Sequence, residues 1–326
     1  MAMPDPRKIV IDLDPCIGSA VAAIVAMLDP KLDVVAITTT RGAASWEAAE
    51  RFATALIAAI DPPKWPRVGF ADRSRDWVER PDCVPVRDFE LLNGEFGLGD
   101  SRPEAASPHH RKESSRLIID SVCTDKDEVT VVTLGTLENV AACQVDPEFI
   151  EHVAGLVCLV GSVAVGGDAT AAAEQNAFLN PDAARTVLRM PVTRLIVPLD
   201  VSQQPQFTLK QLEKFDARTG QAWSFVADLL KSAFRGQRRR FGEEGVRIHE
   251  LAAIAAISEP KLFEMRRWHV DVELQGEITR GATVFDRRRR MDTSESWEFG
   301  TPVHVATEVD AQGVIDYAMR VLGDAG

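Results

Sequence analysis

The chain has 326 residues, enough for one large α/β unit or for two smaller ones. Hydrophobic residues make up 45% and charged residues 26%, the balance of a chain that folds around a core, so intrinsic disorder is excluded as its general state. A formal charge of −12, with short and separate basic stretches at Arg235 to Arg240 and Arg287 to Arg290, sets aside nucleic acid and membrane surfaces as partners.

Met1 to Lys8 is polar and lacks the charged-then-apolar order of a signal peptide, and no later run approaches a membrane span, so a cytoplasmic protein is expected. Ile9-Val10-Ile11 is a β-branched run ending in Asp12-Leu13-Asp14-Pro15, and an apolar segment from Ala20 to Leu28 follows: strand, turn, helix. Val34 to Thr39 reads as a second strand. Ser45 then suits the N-cap of an alanine-rich amphipathic helix through Ile60, stopped by Asp61-Pro62-Pro63. Val68 to Phe70 is a third strand. Asp72 to Arg111, with four prolines and the run Gly94-Glu95-Phe96-Gly97-Leu98-Gly99, shows no clear period and is expected to be a mobile loop over the site. Strands follow at Val129 to Leu134, Leu156 to Val160 and Thr193 to Pro198, with helices near Ser114 to Val122, Glu138 to Ala142 and Pro181 to Arg189. Asn180 and Pro181 have the chemistry of an N-cap and a first helical residue.

Strands alternating with helices, the strands nearly continuous in apolar residues, predict an α/β fold: an open, mostly parallel sheet covered by helices on both faces. No proline- or serine-rich linker divides the chain, so residues 1–326 are expected to form a single domain. In such sheets ligands bind beyond the carboxyl ends of the strands. Those ends here carry Asp12 and Asp14, Thr38 to Arg41, and Gly135. The five cysteines (Cys16, Cys83, Cys123, Cys143, Cys158) are odd in number and widely spaced, which fits a reducing compartment and neither a disulfide framework nor a CxxC zinc site.

Asp-x-Asp-Pro can be a plain surface turn, but the rest of the chain favours a ligand site. A glycine-rich stretch, Gly161-Ser162 then Gly166-Gly167-Asp168-Ala169-Thr170, leads through Glu174-Gln175-Asn176 to Asn180-Pro181-Asp182. Later come His249-Glu250-Leu251 and Asp271-Val272-Glu273-Leu274-Gln275-Gly276. With Thr38-Thr39-Thr40-Arg41-Gly42-Ala43 and Leu134-Gly135-Thr136-Leu137-Glu138-Asn139, these segments resemble the nucleoside hydrolase family, inosine-uridine preferring, in order and spacing from about Lys8 to Arg287.

The resemblance implies a Rossmann-like core, a homo-oligomer, a small-molecule nucleoside substrate, and hydrolysis of its N-glycosidic bond with a calcium ion in the site. It carries metal ligation onto Asp12, Asp14, the Leu134 carbonyl and Glu250. It makes Asp14 the general base, places His249 on the leaving-group side, and gives Glu174, Asn176, Asp168 and Asn93 to the substrate. The sequence departs from the family pattern at the metal: Gly18 and Ser19 stand where two acids are expected, Cys16 replaces a glycine, and Glu250 is one methylene longer than the expected Asp. Calcium affinity follows charge count and ligand number, so weak metal binding is expected. Arg41 is a candidate to fill part of the metal void by pairing with Asp14, against a plain solvent-facing role.

Cys16 reads as a small packing residue against the alternative of a thiol nucleophile, because nearby acids raise a thiol pKa. His249 can also be a satisfied core residue. His109-His110 is expected in solvent, and Trp46, Trp223 and Trp268 in packing. Hydrolysis of a ribonucleoside or related ribosyl compound is the leading reading. The alternatives are a catalytically inactive homologue that binds a ribose-like ligand without calcium, and a metal-independent glycoside hydrolase.

Overall fold

The computed structural model describes residues 5–72, 86–102, 111–216, 220–288 and 299–324. The first half alternates strand and helix: β1 (Arg7–Leu13), helix Ile17–Leu28, β2 (Leu32–Thr39), helix Trp46–Ile60, β3 (Arg67–Phe70), and, past helix Val86–Asn93, the two-residue β4 (Lys112–Glu113). Helix Ser114–Thr124 leads to β5 (Thr130–Thr133), helices Glu138–Cys143 and Pro147–His152 to β6 (Gly155–Leu159), and helices Gln175–Leu179 and Pro181–Arg189 to β7 (Arg194–Val197). A small antiparallel ribbon, β8 (Gln206–Thr208) with β9 (Gly245–Arg247), brackets the long helix Gln221–Phe241. Helix His249–Ser258 precedes β10 (Phe263–Val272), β11 (Thr283–Asp286), β12 (Thr301–Val309) and helix Ala311–Asp324.

The main sheet has ten strands in the order β11-β10-β12-β7-β6-β5-β1-β2-β3-β4. From β12 through β4 every neighbouring pair is parallel, and β10 runs antiparallel to both β11 and β12. The mostly parallel α/β sheet expected from the sequence is therefore present, with an antiparallel edge added by the last third of the chain. Chain order reverses between β1 and β5, since β1 to β4 build outward on one side and β5 to β7 on the other. That reversal opens a crevice at the strand ends, where α/β sheets hold their ligands.

Side chains alternate along β1 and divide the core in two. Ile9, Ile11 and Leu13 join the layer holding helices Ile17–Leu28, Gln221–Phe241 and His249–Ser258. Val10 joins the opposite layer, with Leu117, Val140 and Val187 from helices Ser114–Thr124, Glu138–Cys143 and Pro181–Arg189. Helix Ile17–Leu28 is buried on all sides from Ile17 to Ala26, which explains why it carries no amphipathic stripe.

One expectation changes here. The segment Asp72 to Arg111 is not structureless where it is described: it contains helix Val86–Asn93, and Gly94, Gly97 and Gly99 turn the chain back with positive φ. The turn lies against the start of helix Ile17–Leu28, where a Cβ on Gly97 would sit 2.6 Å from the Pro15 carbonyl carbon. Cys83 and His109-His110 lie outside the described residues.

Candidate active site

β1 stops at Leu13 because Pro15 cannot donate to a ladder, and Cys16 (φ −148°, ψ 161°) opens the next helix as its N-cap. Its sulfur accepts the Ser19 amide at 3.2 Å. Asp12, two residues after Val10 on the same face of β1, points toward helix Glu138–Cys143. Its Oδ1 accepts the Thr38 hydroxyl at 2.6 Å and the Asn139 amide at 2.9 Å, while Oδ2 is buried and has no hydrogen-bond partner among the described residues. Burial pushes the Asp12 carboxyl up to about 7, against the opposing pull of those two hydrogen bonds. Asp12 is not among the residues lining the cavity; its contacts to Thr38 and Asn139 brace the joint between β1 and β2 from beneath.

Asp14 lies past the strand end and turns into a cavity of about 230 Å³. Two glycines make room for it: a Cβ on Gly42 would come within 2.5 Å of its Oδ2, and one on Gly135 within 2.9 Å of its Cβ. Its Oδ1 accepts the Ser19 hydroxyl at 3.2 Å and faces the Cys16 sulfur at 3.8 Å. Burial raises its carboxyl to about 6, with the Ser19 bond opposing.

Across the cavity, helix His249–Ser258 delivers two residues from its first turn. Glu250 accepts the Cys16 thiol on Oε1 at 3.0 Å, and burial lifts its carboxyl to about 7. The same thiol lies 3.2 Å from Ser19 Oγ and is held well above its ordinary pKa by burial and by the Glu250 and Asp14 charges. Cys16 thus serves as a thiol donor and helix cap, in surroundings that disfavour its thiolate. His249 Nδ1 is 3.1 Å from Ser202 Oγ; burial, then the Arg247 charge, lowers its pKa to about 4, so the imidazole is neutral at pH 7.

The third wall comes from the loop after β6. Glu174 caps helix Gln175–Leu179: Oε1 takes the Asn176 amide at 2.8 Å, and Oε2 takes those of Gly161 at 2.8 Å and Ala177 at 3.2 Å. Asn176 donates its side-chain amide to the carbonyls of Leu134 at 3.1 Å and Leu159 at 2.9 Å, tying the ends of β5 and β6 together. Asp168 accepts the Gln175 amide at 2.8 Å. Burial raises both Asp168 and Glu174, the latter further through the Asp168 charge. Asn93 reaches in from helix Val86–Asn93, its Oδ1 accepting the Ile17 amide at 3.1 Å.

One cavity therefore brings together Asp14, Asn93, Leu134, Asp168, Glu174, Asn176, His249 and Glu250 from the sequence-predicted set, and leaves out Asp12 and Arg41. Among the described residues no ion pair joins Arg41 to Asp14. Arg41 Nε donates to the Ala44 carbonyl at 3.1 Å, and the guanidinium carbon lies 5.5 Å from the centre of the Trp46 ring, closing the turn before helix Trp46–Ile60. Trp223 is buried and Trp268 meets Phe285 edge-on at 6.3 Å, as packing residues. Sequence reasoning missed Asn139 and Ser202, which orient Asp12 and His249. It also missed Asp200, whose carboxylate receives the amides of Val163 at 2.6 Å and Ala164 at 2.8 Å and so anchors the glycine-rich loop. The strand-end rule applied to β7 points at Asp200.

The donor set does not suit calcium, which takes about six to eight hard oxygens. Two carboxylates and a hydroxyl face the place, a soft sulfur stands among them, and the Leu134 carbonyl already accepts the Asn176 amide. Among the described residues no group of three or more His, Cys, Asp or Glu side chains is spaced to hold a metal ion.

The profile of the inosine-uridine preferring nucleoside hydrolase family matches residues 9–316. A probable uridine nucleosidase 2 of Arabidopsis thaliana is 30% identical over 322 residues, 98% of each chain. The pyrimidine-specific ribonucleoside hydrolase RihA of Escherichia coli (strain SMS-3-5 / SECEC) is 29% identical over 97% of each. Among solved structures, a plant nucleoside hydrolase superposes with a TM-score of 0.86 at 27% identity, covering 97% of this chain and 99% of that one. The site geometry and these matches agree: the chain belongs to the inosine-uridine preferring nucleoside hydrolase family.

Proposed function

We propose that this protein hydrolyses the N-glycosidic bond of a ribonucleoside, and does so without a resident calcium ion. The observation that carries the reading is the convergence of Asp14, Glu174, Asn176, His249 and Glu250 on one cavity at the reversal point of the sheet. Bond cleavage builds positive charge on the sugar, and a wall holding four carboxyl groups (Asp14, Asp168, Glu174, Glu250) stabilises that charge. On that wall Arg247 is the cation, and it is paired with Glu243 at 2.7 Å.

In this reading Asp14 takes a proton from the attacking water once its carboxyl, near 6, is ionised. Glu174, Asn176 and Asp168 hold the sugar, with Asn93 at the rim. His249, neutral and oriented by Ser202, gives a hydrogen bond to the departing base rather than acting as an imidazolium acid. The names of the relatives favour a pyrimidine nucleoside, uridine first. We further read residues 1–326 as one domain, since the main sheet draws strands from Arg7 through Val309. The expected cytoplasmic location and homo-oligomer belong to the same proposal, and size-exclusion chromatography with light scattering checks the oligomer.

The test is release of free base from a panel of ribonucleosides by wild type and Asp14→Ala, with calcium added or chelated. Release by the wild type that survives chelation and disappears in Asp14→Ala is expected. Absence of release from every nucleoside in both conditions, by protein with a folded circular dichroism spectrum, overturns it. The non-hydrolytic reading would then be favoured by the thiol and Glu250 filling the cradle, and ligand-induced thermal stabilisation would support it.

A further inference from the structure

The strand order puts β11 at the edge of the sheet, with β10, β12 and β7 between it and β6. Its hairpin nevertheless reaches the loop that follows β6. Between β10 and β11 the chain turns from Glu273 to Ala282, closed by the Gly281 amide on the Glu273 carbonyl at 2.7 Å and the Glu273 amide on the Ala282 carbonyl at 2.9 Å. This turn holds the glycine-rich stretch and its helix at both ends. At the far end Arg280 Nη1 donates to the Phe178 carbonyl at 3.0 Å, and Gly281, at φ 83°, lies so close to helix Gln175–Leu179 that a Cβ would meet Phe178 Cα at 2.7 Å. At the near end the Thr283 hydroxyl accepts the Ser162 amide at 2.9 Å and donates to the Ser162 carbonyl at 3.1 Å. Gly161, at φ 84°, leaves space for that approach. A Cβ there would fall 2.6 Å from Thr283 Oγ1 and 3.0 Å from its Cβ, atoms of a short branched side chain already bonded twice.

From Ser162 the contacts pass inward. The Gly161 amide donates to Glu174 Oε2 at 2.8 Å, and the Gly161 carbonyl accepts the Leu199 amide at 2.8 Å. Thr283 is not among the residues lining the cavity, so its effect on the site is transmitted through the Gly161–Ser162 backbone. We propose that Thr283 is a positioning residue for the wall that carries Glu174 and Asn176. Its hydroxyl fixes the Ser162 backbone, that backbone fixes the Gly161 amide, and the amide fixes the Glu174 carboxylate. The turn at Arg280 and Gly281 holds the other end of the same segment, so one hairpin brackets both substrate-facing side chains. The inference rests on the ribonucleoside reading of the cavity and gives the antiparallel edge a part in substrate binding. Groups that orient substrate act only as well as the shell behind them holds them, and a small misplacement is felt at the reacting centre.

The experiment compares the wild-type full chain with Thr283→Val, Thr283→Ser and Asn180→Ala. Valine keeps the branched shape and strand preference of threonine without the hydroxyl, and serine keeps the hydroxyl. The readouts are backbone hydrogen exchange over residues 161–177 and steady-state turnover of the ribonucleoside that wild type hydrolyses best. Thr283→Val should speed exchange across that stretch and raise KM about 10-fold, with kcat changed by less than about 3-fold. That split is expected when a group holding substrate and transition state alike is loosened. Thr283→Ser should restore both readouts. Asn180→Ala removes the cap of the neighbouring helix Pro181–Arg189 and should leave KM as it is, which separates positioning from loss of stability.

Wild-type KM or unchanged exchange in Thr283→Val overturns the inference and leaves hydrolysis standing, as does a KM raised equally in Thr283→Ser or Asn180→Ala. Where wild type binds a ribonucleoside without turnover, isothermal titration takes the place of KM. Affinity lost in Thr283→Val and kept in Thr283→Ser then supports the inference while the hydrolytic reading fails. A wild type that binds no ribonucleoside overturns both.

Discussion

Asp14 is the residue on which the proposed chemistry turns, and its environment sets the pH at which it can work. Burial holds its carboxyl near 6, and only the ionised form accepts a proton, so kcat/KM should rise with pH through about 6 and level off above it. A pH profile from 4.5 to 8 checks this, and a rate that falls over that range would reject Asp14 as the base. Asp14→Asn should reduce kcat on the order of 10²- to 10⁴-fold with a small change in KM, since the geometry of Ser19 and Cys16 around it survives. His249→Gln should act differently. A neutral imidazole that only hydrogen-bonds the base contributes most to poor leaving groups, so the loss should shrink for nucleosides whose base departs readily.

The elements carry these residues with different degrees of legibility. Helix Pro181–Arg189 was readable to the residue, because Asn180 accepts the Ala183 amide at 3.0 Å and Pro181 occupies the first turn, a chemistry visible in the letters alone. Asn180→Ala should lower stability by about 1 kcal/mol in urea unfolding, and a change near zero would mean the cap is redundant. The strand ends that hold Asp14 and Leu134 were equally legible, as apolar runs broken by polar residues. Helix Gln221–Phe241 and the β10 to β12 edge were not, although both are long. The helix has a broad mixed surface with Arg238-Arg239-Arg240 in its last turn, and strand β10 alternates irregularly because its register with β12 slips between Glu264 and Met265. Within the site, the sequence identified the acids but not their aim. Whether Asp12 meets a cavity or Asn139 depends on which face of β1 it shares with Val10, and whether Arg41 meets Asp14 or Trp46 depends on the following turn.

At the scale of the whole molecule, the site is a store of unfavourable charge. Asp12 and Glu250 are raised to about 7 and Asp14 to about 6, with Asp168 and Glu174 also raised, all chiefly by burial. The folded state therefore holds protons that the unfolded chain gives up near pH 4, and the stabilisation present below that point is lost as pH climbs through the folded values. Stability should therefore fall between pH 5 and pH 8, as read by denaturant midpoints. Glu250→Gln removes one of these groups and should unfold later than wild type at pH 8 but not at pH 5. Gly18 leaves room for the end of the Glu250 side chain: a Cβ at 18 would lie 1.9 Å from its Oε2, a contact that a glutamate relieves by turning its carboxylate, so a side chain at 18 reshapes the mouth of the cavity rather than the fold around it.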